Sequence, residues 1–407
     1  MDHFNHLVKV FDEYRLKRDV FDKKTLSDEL AALKKKNFDK REELLKIAVD
    51  NLQKHGFEVF IAKDKNEATD IIKKLVADKK KIVKSKSNVG KEINLTEVLE
   101  AQACDVKETD LGDWLSVVCQ SEEIHPVLPA VQLTEEFIVE KIKAKYGVEI
   151  ESKAEAIAAF AREEIAKFIA AADVGISGVN AISADGALMI LENEGNISKV
   201  TRLPAHHIAI SGIEKIVENL TETLHVAKCA AVWGTGQDWP AYVSIIAGPS
   251  KTADIQNKVV VGAQGAQRVS LVLIDNGRSA MAAKYPELLN CINCGACANF
   301  CPAYYQLLEK FGYKYLGAKG ILWTAFNESL QKAKEGNLHA CTLCEACGVN
   351  CPAKIPLPQY IRHLREDLIK SGDETEGNKE MMEHVRKHGN PFGEVKEGEI
   401  PDKLYCC

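Results

Sequence analysis

The sequence predicts a mixed α/β domain running to about residue 280, followed by a helical, cysteine-rich module. Short β-branched runs alternate with helix-period stretches through the first part, separated by Gly-rich turns. Eight of the 13 cysteines crowd between Cys291 and Cys351. The stretch dividing that crowd repeats its apolar residues at helical rather than strand spacing.

A chain of 407 residues exceeds one ordinary core, so two or three units are expected. With 46% hydrophobic and 28% charged residues it reads as globular, which excludes a disordered, collagen-like or mucin-like chain. The formal net charge is −6, whereas a nucleic-acid binder shows a basic domain; no nucleic acid is expected as a partner. The first residues lack a basic segment ahead of an apolar core, and no apolar run is long enough for a transmembrane segment. A cytoplasmic protein is the expectation.

In chain order, residues 1–40 read as an N-terminal helical arm with a helix over 4–16, and 41–55 as a further helix. Strands are expected at 57–61 and 81–83 around a helix at 68–77, with Lys79, Lys80 and Lys81 as a solvated charge run. Helices follow at 134–146 and 153–171. Strands are then expected at 174–178, 187–191, 207–210, 230–232 and 269–274. These divisions give an α/β domain over 41–282, a helical module over 283–372 and a charged tail over 373–407. Gly234-Thr235-Gly236 lacks the third glycine of a dinucleotide fingerprint, since Trp239 stands there, and reads as a turn. His206 and His207 read as packed, and Cys104, Cys119 and Cys229 as small buried residues. Cys406 and Cys407 form a terminal vicinal pair, read as a flexible end.

The crowded cysteines form two copies of C-x2-C-x2-C-x3-C-P, namely Cys291, Cys294, Cys297, Cys301 and Cys341, Cys344, Cys347, Cys351. This is the spacing of two-cluster ferredoxins, in which the fourth cysteine of each copy reaches the other cluster. On that rule Cys291, Cys294, Cys297 and Cys351 hold one 4Fe-4S cluster, and Cys341, Cys344, Cys347 and Cys301 the second. Structural zinc fits less well, because zinc sites pair two short knuckles lying far apart. With every iron ligated by protein, the module is a wire rather than a catalyst. Its spacer, helical over 304–311 and 320–334, resembles the α-helical ferredoxin type of succinate dehydrogenase and heterodisulfide reductase subunits.

Residues 80–280 resemble the LUD domain of lactate-utilisation proteins. Lys84-Ser85-Lys86-Ser87 with Glu92 and Leu95, Glu108-Thr109-Asp110-Leu111-Gly112, and His125-Pro126 to Pro129-Ala130 are similar to its successive motifs. So are Asn193-Glu194-Gly195-Asn196, Leu203-Pro204 with His207-Ile208, Gly248-Pro249-Ser250 to Ile255, and Asp275-Asn276-Gly277-Arg278. With the ferredoxin motifs behind them, this order resembles the LutB/LldF iron–sulfur family over about residues 40–370. The resemblance implies a fold shared with CoA transferases and ribose-phosphate isomerases. It also implies a place in a complex oxidising L-lactate to pyruvate, with a CCG-type cysteine-rich subunit and a second LUD-domain subunit as partners. Gly389-Asn390-Pro391-Phe392-Gly393 resembles a motif of heterodisulfide-reductase-like proteins.

Oxidising a 2-hydroxy acid needs a cation for the carboxylate, a base for the hydroxyl proton and an acceptor for two electrons. The polar candidates in motif positions are Lys84, Lys86, Asp185, Glu192 and Glu194. Two departures bear on the substrate. Ala184-Asp185-Gly186-Ala187 replaces the family's E/D-T-G-T/S turn, and Ser198 stands where an arginine, the natural carboxylate clamp, is usual. The competing expectation is an electron-transfer adaptor of a heterodisulfide-reductase-like complex whose LUD domain binds no substrate. An iron–sulfur nucleic-acid enzyme is disfavoured by the charge and by the lack of helicase or nuclease motifs.

Overall fold

Six strands, five of them with apolar centres, pair side by side in one direction. The computed structural model describes residues 23–395, with Lys9, Asp12, Glu13, Gly398 and Ile400 besides. Most of the helix expected at 4–16, and Cys406 with Cys407, therefore lie outside the described residues. Its strands are β1 (Glu58–Ala62), β2 (Lys81–Lys84), β3 (Asp105–Glu108), β4 (Val174–Gly178), β5 (Ala181–Ser183), β6 (Ala187–Glu192), β7 (His206–Gly212), β8 (Ile216–Val217), β9 (Tyr242–Ile246), β10 (Lys251–Thr252), β11 (Val260–Val261) and β12 (Arg268–Ile274). The large sheet runs β1-β12-β7-β4-β2-β3, every neighbouring pair parallel. A smaller sheet runs β8-β5-β6-β9, and β10 with β11 forms a short ribbon.

Parallel strands need crossover helices on both faces, and so their inner members read as continuous apolar runs. β7 is buried along its whole length, and β12 beyond Arg268. The Lys65–Val76 helix starts where the Asp64 side chain accepts from the Asn66 and Glu67 N–H groups, both at 3.0 Å. It buries Ala68, Ile72, Leu75 and Val76, spaced to share one face, against the sheet.

The strand expected at 230–232 is instead the end of the Leu220–Gly234 helix. Asn219 caps that helix by accepting from the Glu222 N–H at 3.0 Å, and its Ala-Ala-Val run packs as a helix face. The stretch expected to be helical over 320–334 is broken in two. The Gly317–Asn327 helix stops, and Ser329 caps Leu330–Glu335 by accepting from the Lys332 N–H at 3.0 Å. Past residue 373 the chain forms the Glu376–His388 helix, which buries no side chain.

A single apolar core joins the α/β part to the cysteine module. Leu30, Val226, Trp233, Met281, Tyr304, Trp323 and Leu364 all belong to it. Among the described residues no helix is long and apolar enough to cross a membrane.

His206 and His207 open β7 and are buried, with Nε2 at 2.8 Å from Ser270 Oγ and Ser177 Oγ respectively. Burial first, then the neighbouring histidine, depresses His207 to about 3; burial first, then Arg268, takes His206 to about 4. Between those values and the ordinary histidine range the unfolded chain binds more protons than the native one, so stability falls as pH drops below about 6.5. We expect a loss of up to about 1.4 kcal/mol per pH unit from His207 in that window. Denaturant midpoints of wild type and His207→Gln, measured between pH 7 and pH 4, check this; the variant should show a shallower pH slope.

Candidate active site and cluster site

In open parallel sheets, ligand sites form outside the carboxyl ends of the strands. Here Lys84 ends β2, Glu108 ends β3, Gly178 ends β4, Gly212 ends β7 and Ile274 ends β12, so four polar loop segments emerge along one edge. They are Ser85-Lys86-Ser87, Thr109-Asp110, the turn into Glu214, and Asp275-Asn276-Gly277-Arg278. Gly277 takes φ +91°, and a Cβ there would come 2.5 Å from the Phe326 carbonyl oxygen, so the helical module sits directly on this edge.

A cavity of about 350 Å³ opens above the edge, lined by Lys86, Asp110, Asn180, Glu192, Glu194 and Lys215 on the sheet side. Its far wall is the loop Cys291-Ile292-Asn293-Cys294. Among the described residues Lys86 Nζ donates to the Val127 carbonyl alone, at 3.3 Å, and burial lowers its pKa despite the nearby Asp113. Asp110 accepts from the Lys86 backbone N–H. Burial first, then the Asp113 charge, lifts its carboxyl to about 7, while Lys86 and Lys91 overcome burial to hold Asp113 at about 2. The two neighbouring carboxylates are thus pushed in opposite directions, Asp110 upward by burial and like charge and Asp113 downward by the lysines.

The sequence candidates divide. Lys86 and Glu194 meet in this cavity with Asp110; Glu194 accepts from the Leu111 N–H at 2.9 Å at the open rim. Glu192 lines it too, but its carboxylate accepts from the Ser198 N–H at 2.9 Å and from the Ser198 hydroxyl. Lys84 is buried in an ion pair with Glu108 and faces the cavity beside the first cysteine motif. Asp185 is not brought here. It is exposed in the β5–β6 turn, where it accepts from Ser183 Oγ at 3.0 Å and from the Leu220 N–H at 2.9 Å.

Cys291, Cys294, Cys297 and Cys351 line one cavity of about 800 Å³ with Lys319 and Asn293. All eight motif cysteines are free thiols. Among the described residues no three His, Cys, Asp or Glu side chains converge as they would on a single ion, and the donors gathered along these walls are thiols. That donor set fits an iron–sulfur cubane, whose irons lie between soft thiolate ligands. Cys301 caps the Pro302–Leu307 helix, and the Ala303 and Tyr304 N–H groups point at its sulfur. Burial, with Cys341 and Cys344 acting on it, pushes its thiol up to about 11. Cys351 is raised to about 11 by burial, and Cys291 is the thiol that acts on it.

Residues 45–274 match the LUD domain family, and residues 287–355 match the 4Fe-4S dicluster domain. A lactate utilization protein B of Lysinibacillus sphaericus (strain C3-41) is 36% identical over 328 residues, 79% of this chain and 67% of the relative. The chain belongs to the lactate utilization protein B family. The relative of that name from Geobacillus thermodenitrificans (strain NG80-2) is also 36% identical, over 327 residues, 79% of this chain and 67% of its own. The Bacillus subtilis (strain 168) member is 34% identical over 79% of this chain and 66% of its own. This chain therefore spans about two thirds of the length of the curated relatives it matches. A crystal structure of a DUF162 family protein from Deinococcus radiodurans aligns over 57% of this chain and 98% of its own, at 14% identity. Its TM-score of 0.30 is too low to carry an argument. The dicluster match and the thiol donor set together make two 4Fe-4S clusters the cofactors of this family member.

Asp110, Lys34, Lys215 and Lys319 were not singled out from sequence. Asp110 stands inside the Glu108-to-Gly112 motif, which was the available signal. The lysines had none, since they arrive from separate elements.

Proposed function

We propose that this chain is the electron-carrying subunit of a complex that oxidises L-lactate or a close 2-hydroxy acid, bound at the carboxyl edge of the LUD sheet. The observation that carries this is the shared cavity: Lys86, Asp110 and Glu194 on one wall, the Cys291–Cys294 loop on the other. Lys86, with no carboxylate partner among the described residues, attracts the substrate carboxylate. Asp110 accepts the hydroxyl proton, and Glu194 takes the proton leaving C2. Conversion of the alcohol to a ketone releases two electrons with those two protons. The two clusters, when bound, each store one electron and pass it on. Their ligand sets are Cys291, Cys294, Cys297, Cys351 and Cys341, Cys344, Cys347, Cys301. The partners are a CCG-type cysteine-rich subunit and a second LUD-domain subunit, met in the cytoplasm, and the working units are residues 41–282 and 283–372.

The test is to purify the protein anaerobically with its retained partners, add L-lactate and follow the visible cluster absorbance. We expect bleaching by L-lactate. The groups facing Asp110 are Lys86, Asp113 and Glu194, and the base works only when ionised. The bleaching rate should therefore rise with pH up to about 7 and level off above it. Asp110→Asn should slow it by about 10²-fold or more at pH 8. The adaptor reading is favoured by one observation: Ser198, where the family's arginine is usual, spends its hydroxyl on Glu192. Absence of bleaching by any 2-hydroxy acid, with complete reduction by dithionite, would select the adaptor.

A further inference from the structure

Four lysines are drawn in around the loop of the first cysteine motif, and none of them makes an ion pair among the described residues. Lys86 belongs to the carboxylate group described above. The other three face the thiols. Lys34, from the Lys23–Asp39 helix, donates to the Glu214 carbonyl at 3.1 Å. Lys215, just past β7, donates to the Val179 carbonyl at 2.6 Å. Both line the same cavity as Cys291 and Cys294. Lys319, 5% exposed, lies across the Tyr315 ring at 3.4 Å and the Trp323 ring at 4.1 Å, and donates to Asn293 Oδ1 at 2.7 Å, between two of the cysteines.

Burying an ammonium without a counter-charge is costly, so a set of three asks what neutralises it. The nearest carboxylates are already engaged. Glu214 and Glu92 both bind Arg278, and Glu222 is held by Lys36 and Asn37. The Arg278 group carries one surplus negative charge, fewer than the three lysines bring. A cubane in its oxidised form with four thiolates is a dianion, and accepting an electron adds one more negative charge. Burial lowers the pKa of all three lysines, and the thiols oppose it: Cys291 favours the charged form of Lys34 and Lys215, and Cys291 and Cys297 that of Lys319.

The second motif is built differently. Cys344 is exposed, and beside Cys341 stands a half-buried arginine, Arg365, which donates to the Cys341 carbonyl at 2.5 Å.

Resting on the ligand sets proposed above, we infer that Lys34, Lys215 and Lys319 are positioning residues for electrons. They are the fixed counter-charge of the cluster of Cys291, Cys294, Cys297 and Cys351 and make it the higher-potential member of the pair. Electrons then settle first on the cluster beside the substrate cavity, and the cluster with the exposed Cys344 is the lower-potential one.

The test is an EPR-monitored redox titration of the anaerobic protein, wild type against Lys→Met and Lys→Arg at each of the three positions, with iron content measured alongside. The wild type should show two separated midpoints. Each methionine variant should lower the higher midpoint and leave the other in place, and each arginine variant should restore it, because a purely structural role would not track charge. Loss of one cluster in the methionine variants, with both retained in the arginine variants, supports the same role through assembly. Unmoved midpoints in methionine variants that retain both clusters, or a single shared midpoint in the wild type, would overturn it. A wild-type chain with iron for fewer than two clusters would instead strike down the ligand sets on which the inference rests.

Discussion

Cys301→Ala is expected to remove the cluster of the second motif, not that of the first. Cys301 is adjacent in sequence to the first motif, so ligation within each motif would predict the reverse. The structure turns it away: the chain bends at Phe300, Cys301 caps the Pro302–Leu307 helix, and the thiols acting on it are Cys341 and Cys344. Cys351 mirrors it, with Cys291 as the thiol acting on it. In the crossed arrangement each cluster has three ligands from one motif and one from the other. The protein should then lose about half its iron, since one cubane cannot hold with a ligand replaced by a methyl group. Alanine is chosen because a serine oxygen can still ligate. The remaining EPR signal should match that of Cys344→Ala and differ from that of Cys294→Ala. A match to Cys294→Ala would refute the crossing.

The cysteine motifs were legible because cluster ligation needs fixed residues at fixed spacing, a constraint local to the chain. The strands at 174–178 and 269–274 were legible for a similar reason: an inner parallel strand must be apolar along its length. β3 was not, since Asp105-Val106-Lys107-Glu108 is a polar edge strand whose only buried side chain is Val106. The Ala-Ala-Val run before Trp233 has strand-like branching at one position and helix-forming alanines at two, and only the Asn219 cap eleven residues upstream decides it. At the site, Lys86 and Glu194 were visible through family motifs, but the role of Asp110 was not. Its acidity is set by burial and by Asp113, which no spacing pattern records. Asp185 shows the converse. It stands in a motif-like turn, yet its carboxylate is spent on holding that turn against the Leu220–Gly234 helix.

Arg278→Met should be the most destabilising single substitution outside the cysteines. The guanidinium is fully buried, donating to both Glu92 oxygens at 2.9 Å and to Glu214 Oε2 at 2.5 Å. Glu92 also accepts from Tyr315 Oη at 2.6 Å and from Asn276 Nδ2 at 2.7 Å, so the network ties the sheet edge to the helical module. A buried ion group is weak evidence of net stability while it is complete, but removing one member strands the others. Methionine fills comparable volume and leaves two carboxylates without a cation, which is expected to cost about 3–5 kcal/mol. In the wild type Arg278 and the hydrogen bonds overcome burial to lower the Glu92 pKa, so its contribution is present at neutral pH and is lost as pH falls through that lowered value. Without the arginine, burial dominates and the Glu92 pKa rises, so protonation relieves the variant first. Its deficit against wild type should therefore shrink between pH 7 and pH 5. Urea midpoints of the anaerobic holoprotein at both pH values read this directly, and Arg278→Met with Glu92→Gln should recover part of the loss. A midpoint unchanged at pH 7 would show that the network contributes no more than the apolar side chain replacing it, and that the packing of Trp323 and Tyr315 alone seats the helical module on the sheet.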